Sequence, residues 1–198
     1  MAVRLIVTRG THATGLTSYL LAEPVGPTAL AQRTDGVSAL TLERGLAPAL
    51  AEHAPWLLMG AKVLSYAVNM AAQRWAQAHH ADDAIFVTDG DLVLEGTTSA
   101  VVISRGRQLL SPPVSLGILP SISVGRLFAA AADTGFQAGY DRLTVDDLHQ
   151  ADGVWLLSSV RLAARVHTLD GVPLPDTGLH AQLRELAGPG RLTRAAPR

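Results

Sequence analysis

Short apolar segments joined through tight turns make up the middle of this 198-residue chain, and they constrain its fold more than any other feature. A turn with Asp-Gly separates Ala84–Thr88 from Leu92–Leu94, and a turn with Arg-Gly separates Val101–Ser104 from Gln108–Leu110. Two apolar segments around a short turn that contains glycine predict a β-hairpin. An all-helical fold is therefore excluded, and the sheet must contain antiparallel strand pairs.

Apolar patterns on both sides of these hairpins predict further strands and helices. The other strands are predicted at Arg4–Thr8, Thr17–Ala22, Val37–Leu42, Gln137–Tyr140, Val154–Leu157 and Arg165–Leu169. Helices are predicted at Gly60–His80, Ser123–Asp133, Val145–Ala151 and Leu179–Ala187. Three prolines make 111–124 largely a loop that opens the second of these helices. The chain is therefore expected to be of the mixed α/β (α+β) class.

Composition favours one globular domain without a polyanionic partner. The chain is 48% hydrophobic and 17% charged, so we expect one domain over residues 1–187, followed by a flexible basic tail at 188–198. A net charge of -1 gives no long-range attraction to nucleic acid or to an anionic membrane. The apolar stretch Leu5–Val7 is too short for a signal peptide or a membrane helix. The sequence predicts a cytoplasmic protein that binds neither nucleic acid nor membrane.

Several common kinds of site are excluded by residue type or spacing. The chain contains no cysteine, which excludes disulfides, thiolate metal sites and thiol nucleophiles. Its seven histidines never lie four residues apart, as a helical zinc site requires. Neither the nucleophile-elbow motif of hydrolases nor a phosphate-binding P-loop motif occurs. No metal site is expected.

Lys62 is the only lysine in the chain, because all the other basic residues are arginines. A lysine amine can lose its proton and form an imine, which a guanidinium cannot do under ordinary conditions. The predicted helix Gly60–His80 places Lys62 in its first turns, where a positive charge is unfavourable. A compositional bias that replaced the other lysines by arginine explains a single lysine equally well. Lys62 alone therefore does not indicate a function.

Four features in chain order match the needs of pyridoxal phosphate. Lys62 offers an amine, and Glu95, expected directly after the second strand of its hairpin, offers a carboxylate for the pyridine nitrogen. A loop that opens a helix at Ser123 and a Ser-Ser pair ending at Ser159 offer amides and hydroxyls for the phosphate. The alternatives are a solvated Glu95 and serines that only cap a helix or a turn.

In four segments the sequence resembles the class IV aminotransferases, which are fold-type IV pyridoxal-phosphate enzymes and include aminodeoxychorismate lyase. The resemblance spans about Val3 to Pro175 and is carried by Ala61–Ala72, Asp82–Val102, Leu109–Leu127 and Ala151–Gly171. It implies the pseudo-barrel large domain of these enzymes and a homodimer that acts on a small-molecule amino substrate.

The resemblance also implies roles for individual residues. Lys62 would form the Schiff base with pyridoxal 5'-phosphate, Glu95 would pair with its pyridine nitrogen, and Tyr66 would belong to the cofactor site. Ile122, Ser123 and Ser159 would hold the phosphate. Arg9 matches an arginine that lies near the substrate carboxylates in lyase relatives, although an exposed arginine at a strand end fits the pattern equally well.

The segment from Lys62 to Tyr66 resembles the lyase pattern Lys-x-Leu-Asn/Ser-Tyr and is one residue shorter than in branched-chain aminotransferases. The resemblance therefore implies 4-amino-4-deoxychorismate lyase, which makes 4-aminobenzoate and pyruvate for folate synthesis. A D-amino-acid-type or general class IV aminotransferase is the first alternative. A catalytically silent protein that binds the cofactor or assembles with partners is the second.

Three departures from the family pattern bear on the site. Relatives carry a preceding domain with a phosphate-binding arginine, and we expect this chain to begin where their second domain begins. Ala100 stands where the family has asparagine, and 121–124 (Ser-Ile-Ser-Val) stands where it has Gly-Ile-Thr-Arg. These two replacements are expected to affect cofactor affinity and pocket shape.

Overall fold

A computed structural model describes residues 1–188 of the protein. The predicted tail at 188–198 therefore lies outside the described residues, apart from Gly188. Among residues 1–188, no helix is both long and apolar enough to cross a membrane.

The strands form a separate two-stranded sheet and a large curled sheet. The two-stranded sheet consists of β1 (Ala2–Thr11) and β2 (Gly15–Glu23). The large sheet contains β3 (Val37–Glu43), β4 (Asp83–Val87), β5 (Val93–Gly96), β6 (Ala100–Arg105), β7 (Gln108–Ser111), β8 (Gln137–Tyr140), β9 (Gly153–Ser158), β10 (Leu162–Leu169) and β11 (Val172–Pro173). Both predicted hairpins in the middle of the chain are confirmed as antiparallel pairs, β4 with β5 and β6 with β7.

Six α-helices cover these strands within the described part of the chain. They are α1 (Pro27–Asp35), α2 (Leu50–His53), α3 (Ala67–Ala78), α4 (Ile122–Ala131), α5 (Val145–Gln150) and α6 (His180–Ala187). The mixed α+β class is therefore confirmed. The sequence did not predict α1 and α2.

The large sheet curls because of the order of its strands. That order is β5-β4-β3-β10-β9-β6-β7-β8, with β11 paired to β10, so four strands lie between β5 and β6. Only residues 97–99 connect these two strands along the chain. In a flat sheet β5 and β6 would be about 24 Å apart, whereas this connection spans at most about 15 Å. The sheet must therefore bend back on itself, which brings the end of β5 close to the start of β6.

Alternating side chains of β6 and β9 fill two apolar layers on opposite faces of the sheet. Ile103 packs in the layer that includes Leu148 of α5, whereas Val102 and Trp155 pack in the layer with Leu127 of α4. This period of two is the direct result of strand geometry. The layer that contains Val102, Trp155 and Leu127 holds α4 against β6 and β9.

The predicted helix Gly60–His80 is wrong at its start, because α3 begins at Ala67. Gly60 has a φ of +72°, and tight turns follow, in which Val63 donates its N–H to Ala61 O and Tyr66 donates its N–H to Leu64 O. Backbone in such turns cannot continue a helix. Lys62 consequently lies in a loop before α3 and not in its first turns.

Candidate functional site

The loop that carries Lys62 lies against the segment before α4. A Cβ atom added to Gly60 would lie only 3.0 Å from the carbonyl oxygen of Ile118, and the φ of +72° is one that other residues rarely adopt, so both features favour glycine here. Lys62 itself is exposed, and its Nζ donates a hydrogen bond to the Tyr66 hydroxyl at 2.9 Å. Tyr66 precedes the first residue of α3, and its carbonyl accepts the N–H of Met70. The start of α3 therefore fixes the tyrosine that orients the lysine amine.

Glu95 lies on β5 itself, and the expectation that it follows the strand is wrong. Its side chain is only 15% exposed, and each carboxylate oxygen accepts one hydrogen bond. Oε1 accepts from Nη1 of Arg44 at 3.1 Å, and Oε2 accepts from the backbone N–H of Leu119 at 3.1 Å.

Burial raises the pKa of Glu95 above its ordinary value of 4.5, because a charged carboxylate is poorly solvated there. The N–H of Leu119, the guanidinium of Arg44 and the positive charge of Lys62 all act in the opposite direction. The charge of Lys62 has the smallest of these effects on the pKa of Glu95.

The start of α4 offers backbone N–H groups to an anion. Ser121 caps the helix, since its hydroxyl oxygen accepts the N–H of Val124 at 3.2 Å. Ile122 is exposed and Ser123 is buried in the first turn of the helix. The first N–H groups of a helix have no acceptor within the helix, so they favour a negatively charged ligand. Leu119, two residues before this cap, already binds Glu95.

Ser159 is exposed in the turn between β9 and β10. The neighbouring Ser158 accepts the N–H of Arg161 at 3.1 Å. The buried guanidinium of Arg161 binds the carboxylate of Asp83 at 2.5 Å and the hydroxyl of Ser99 at 3.1 Å. The Ser159 turn is thereby tied to the connection between β5 and β6, directly after Glu95.

The same connection is also tied to α3. Asn69, in the first turn of that helix, donates a hydrogen bond to the carbonyl of Thr97 at 2.6 Å. Contacts with 97–99 and 118–119 thus connect the lysine loop, Glu95, the start of α4 and the Ser159 turn.

Arg9 lies apart from these residues. It is exposed near the tip of the β1–β2 hairpin. Within residues 1–188 it forms no hydrogen bond or ion pair with Lys62, Glu95 or Ser159. The structure does not bring Arg9 together with the other candidate residues.

Besides Arg161, two more arginines that support the site were missed by sequence reasoning. Arg44 directly follows β3 and binds Glu95, and Arg33 of α1 donates two hydrogen bonds to the carbonyl of Val160 in the Ser159 turn. Their partners are 51 and 127 residues away along the chain. The only signal for Arg44 was a basic residue two positions after the predicted strand Val37–Leu42.

The model of the family described as amino-transferase class IV matches residues 1–169. This chain is a class IV aminotransferase family member. It is 45% identical over 193 residues to the bifunctional aminodeoxychorismate lyase / D-amino acid transaminase of Mycobacterium tuberculosis. The aligned region covers 93% of this chain and 67% of that protein. It is 30% identical over 140 residues to the D-alanine aminotransferase of Bacillus licheniformis, covering 71% of this chain and 46% of the relative.

Solved structures confirm the predicted pseudo-barrel fold of this class IV aminotransferase family member. A hypothetical aminotransferase from Mycobacterium tuberculosis in its PLP-bound form gives a TM-score of 0.90 at 44% identity, over 93% of this chain and 66% of that one. A fold IV-transaminase from Curtobacterium pusillum gives 0.83 at 37% identity, over 93% and 62%. The chain therefore spans about two thirds of the length of these structures.

Proposed function

We propose that this chain carries the catalytic lysine of a pyridoxal-phosphate enzyme that converts 4-amino-4-deoxychorismate to 4-aminobenzoate and pyruvate. The observation that carries the proposal is the placement of Lys62, whose amine is bound by Tyr66 and whose charge acts on Glu95. The lyase reaction is supported by the short spacing from Lys62 to Tyr66 and by the bifunctional mycobacterial relative.

The donor set fits pyridoxal phosphate group by group. The cofactor aldehyde needs an amine, which Lys62 offers at an exposed position. Its ring nitrogen needs a carboxylate, and Glu95 retains acceptor capacity because each of its oxygens accepts one hydrogen bond in the structure. Its phosphate needs N–H and hydroxyl donors, which the capped start of α4 and Ser159 supply.

Glu95 controls the electronic part of the reaction in this proposal. When bound, pyridoxal phosphate draws electrons from the substrate carbon through its ring. An ionised carboxylate beside the ring nitrogen holds a proton there, which a neutral side chain cannot do. Glu95 is ionised above its pKa, so its charge state sets the lower pH limit of activity.

Lys62 moves the proton at the substrate carbon. Its Nζ takes the proton from the carbon that carries the substrate amine, and the Tyr66 hydroxyl, 2.9 Å away, holds the Nζ in place. Both the lyase and a transaminase need this step. D-Amino-acid transamination is therefore the second candidate, and it is favoured by the same bifunctional relative.

The two reactions differ in their need for a second substrate. A lyase releases pyruvate without any keto-acid acceptor, whereas a transaminase turns over only while a keto acid takes up the amino group. Purified protein given aminodeoxychorismate alone is expected to release pyruvate and 4-aminobenzoate continuously. Protein given D-alanine and 2-oxoglutarate is expected to show little sustained transfer.

Lys62→Arg is the control for this experiment, because it keeps the charge but removes the reactive amine. It is expected to abolish both reactions. Turnover that depends on the acceptor would replace the lyase by the transaminase. A wild-type protein inactive in both assays would favour the silent cofactor-binding or assembly protein.

We further propose that the chain works as a homodimer. In the β1–β2 register Leu5 lies opposite Leu20, so their side chains share one face with Val3. All three are more than half exposed, and apolar faces of this kind are usually covered by a partner. Sedimentation of the wild type as a monomer at assay concentrations would contradict the homodimer.

A further inference from the structure

Arg44 reaches Glu95 across an intervening strand. It follows β3, whereas Glu95 lies on β5, and β4 separates the two strands. The N–H of Arg44 donates to Val87 O at 2.9 Å, which fixes its backbone beside β4. Its guanidinium carbon lies 5.8 Å from the ring centroid of the buried Phe86 and so crosses that ring on its way to Glu95.

This path leaves little freedom to either side chain. Arg44 is 18% exposed and Glu95 is 15% exposed, and 3.1 Å separates Nη1 from Oε1. A bond between a guanidinium and a carboxylate is stronger than one between neutral groups. The backbone N–H of Leu119 binds the other oxygen from a different part of the chain, so each oxygen of the carboxylate is held by its own donor.

The charged groups that face Glu95 come from two elements. Arg44 contacts it from the end of β3, and Lys62 acts on it through its charge from the loop before α3. Burial favours the neutral acid, and both cations oppose that effect. Lys62 is the residue whose amine is consumed by cofactor binding in the proposed function. Arg44 is then the cation that keeps acting on Glu95.

We propose that Arg44 is a positioning residue, which holds the Glu95 carboxylate ionised and turned so that its remaining lone pairs receive the ring nitrogen of the cofactor. This inference rests on the proposed function of the same site. Without Arg44 a larger fraction of Glu95 is the neutral acid at a given pH. A neutral acid donates a hydrogen bond where the proposed function needs an acceptor.

The test compares Arg44→Met, which keeps chain length but removes the charge, with Arg44→Lys, which keeps the charge but loses the planar fork. The first measurement is the ionisation of Glu95 in the cofactor-free protein, followed by carboxyl carbon-13 NMR and assigned with Glu95→Gln. In Arg44→Met the Glu95 carboxyl is expected to titrate at higher pH than in the wild type, and in Arg44→Lys between the two.

The second measurement is the affinity for pyridoxal phosphate as a function of pH. Loss of a hydrogen bond to a charged group is expected to weaken binding by Arg44→Met roughly tenfold or more at neutral pH. The deficit is expected to shrink as pH rises, because Glu95 then ionises in the variant as well. Arg105→Met is the matched control, since it removes a partly exposed ion pair with Asp147 and is expected to change neither quantity.

Glu95 titrating at the same pH in Arg44→Met as in the wild type, with unchanged affinity, would overturn the role of Arg44. If circular dichroism shows that Arg44→Met does not fold, Arg44→Gln, which also removes the charge, replaces it in both measurements. An unshifted Glu95 titration with unchanged affinity in Arg44→Gln would then overturn the role of Arg44. A wild-type protein that does not bind pyridoxal phosphate overturns the proposed function instead. The NMR titration still reports whether Arg44 controls the charge of Glu95 in that case.

Discussion

The amine of Lys62 can be tested directly because the chain contains one lysine. Borohydride reduces an imine between a lysine and the cofactor aldehyde to a stable bond. Treatment of the reconstituted protein is expected to add the cofactor mass to the peptide that contains Lys62, with loss of visible absorbance. Mass spectrometry of the digest checks this result. Label found only on the amino terminus would withdraw Lys62 as the cofactor-binding residue.

Glu95→Gln tests whether the reaction needs the charge of the Glu95 carboxylate. The amide is nearly the same size but cannot hold the ring nitrogen protonated, so at saturating cofactor the variant is expected to bind it while turnover falls by about 100-fold or more. Absorbance of bound cofactor and steady-state rates provide the two measurements. A variant with wild-type rates would show that the carboxylate has no electronic role.

The raised pKa of Glu95 also makes the stability of the folded protein depend on pH. Burial makes the folded protein hold the Glu95 proton to higher pH than the unfolded chain, so its contribution to stability decreases as pH rises from 4.5 through the folded value. The free energy of unfolding of wild type minus that of Glu95→Gln is therefore expected to fall over this pH range. Urea unfolding at several pH values measures it, and a difference that rises with pH would contradict the assigned direction.

Among the elements, α4 is placed by its packing against the sheet, and its first turn is held by the Ser121 cap. Ser121→Ala removes the hydroxyl that accepts the N–H of Val124, which is expected to cost about 1 kcal/mol of stability and to weaken cofactor binding by misplacing the first turn. Thr144→Ala is the matched control, because it removes the cap of α5. It is expected to lower stability similarly and leave affinity unchanged. Equal loss of affinity in both variants would show that the effect is only one of stability.

Strands were predicted more accurately than the loops that form the site. The hairpins follow from local alternation and turn residues, and the segment predicted at Gln137–Tyr140 is β8 to the residue. The start of α3 could not be predicted, because the apolar spacing continues through Lys62 while a contact of Gly60 with Ile118 holds that segment in turns. The bond from Arg44 to Glu95 depends on the order of three strands, which no local pattern encodes.

On the scale of the whole molecule, the ion pair between Asp83 and Arg161 joins parts of the curled sheet that are far apart along the chain. Asp83 is completely buried and also accepts a hydrogen bond from the Thr97 hydroxyl at 2.5 Å. Arg161→Met leaves the Asp83 carboxylate buried without its cation, which is expected to cost about 3–5 kcal/mol. The exposed pair of Arg4 and Glu23 offers the control, since Arg4→Met is expected to cost less than about 1 kcal/mol.

Urea unfolding of both variants measures these costs. The double variant Asp83→Asn/Arg161→Met is expected to be more stable than Arg161→Met alone, because it leaves no unpaired charge in the interior. Since the Arg161 side chain also binds the hydroxyl of Ser99 in the connection after β5, the single variant is further expected to lose affinity for pyridoxal phosphate under conditions where it remains folded. A single variant as stable as Arg4→Met would show that this buried pair does not hold the Ser159 turn against the connection after Glu95.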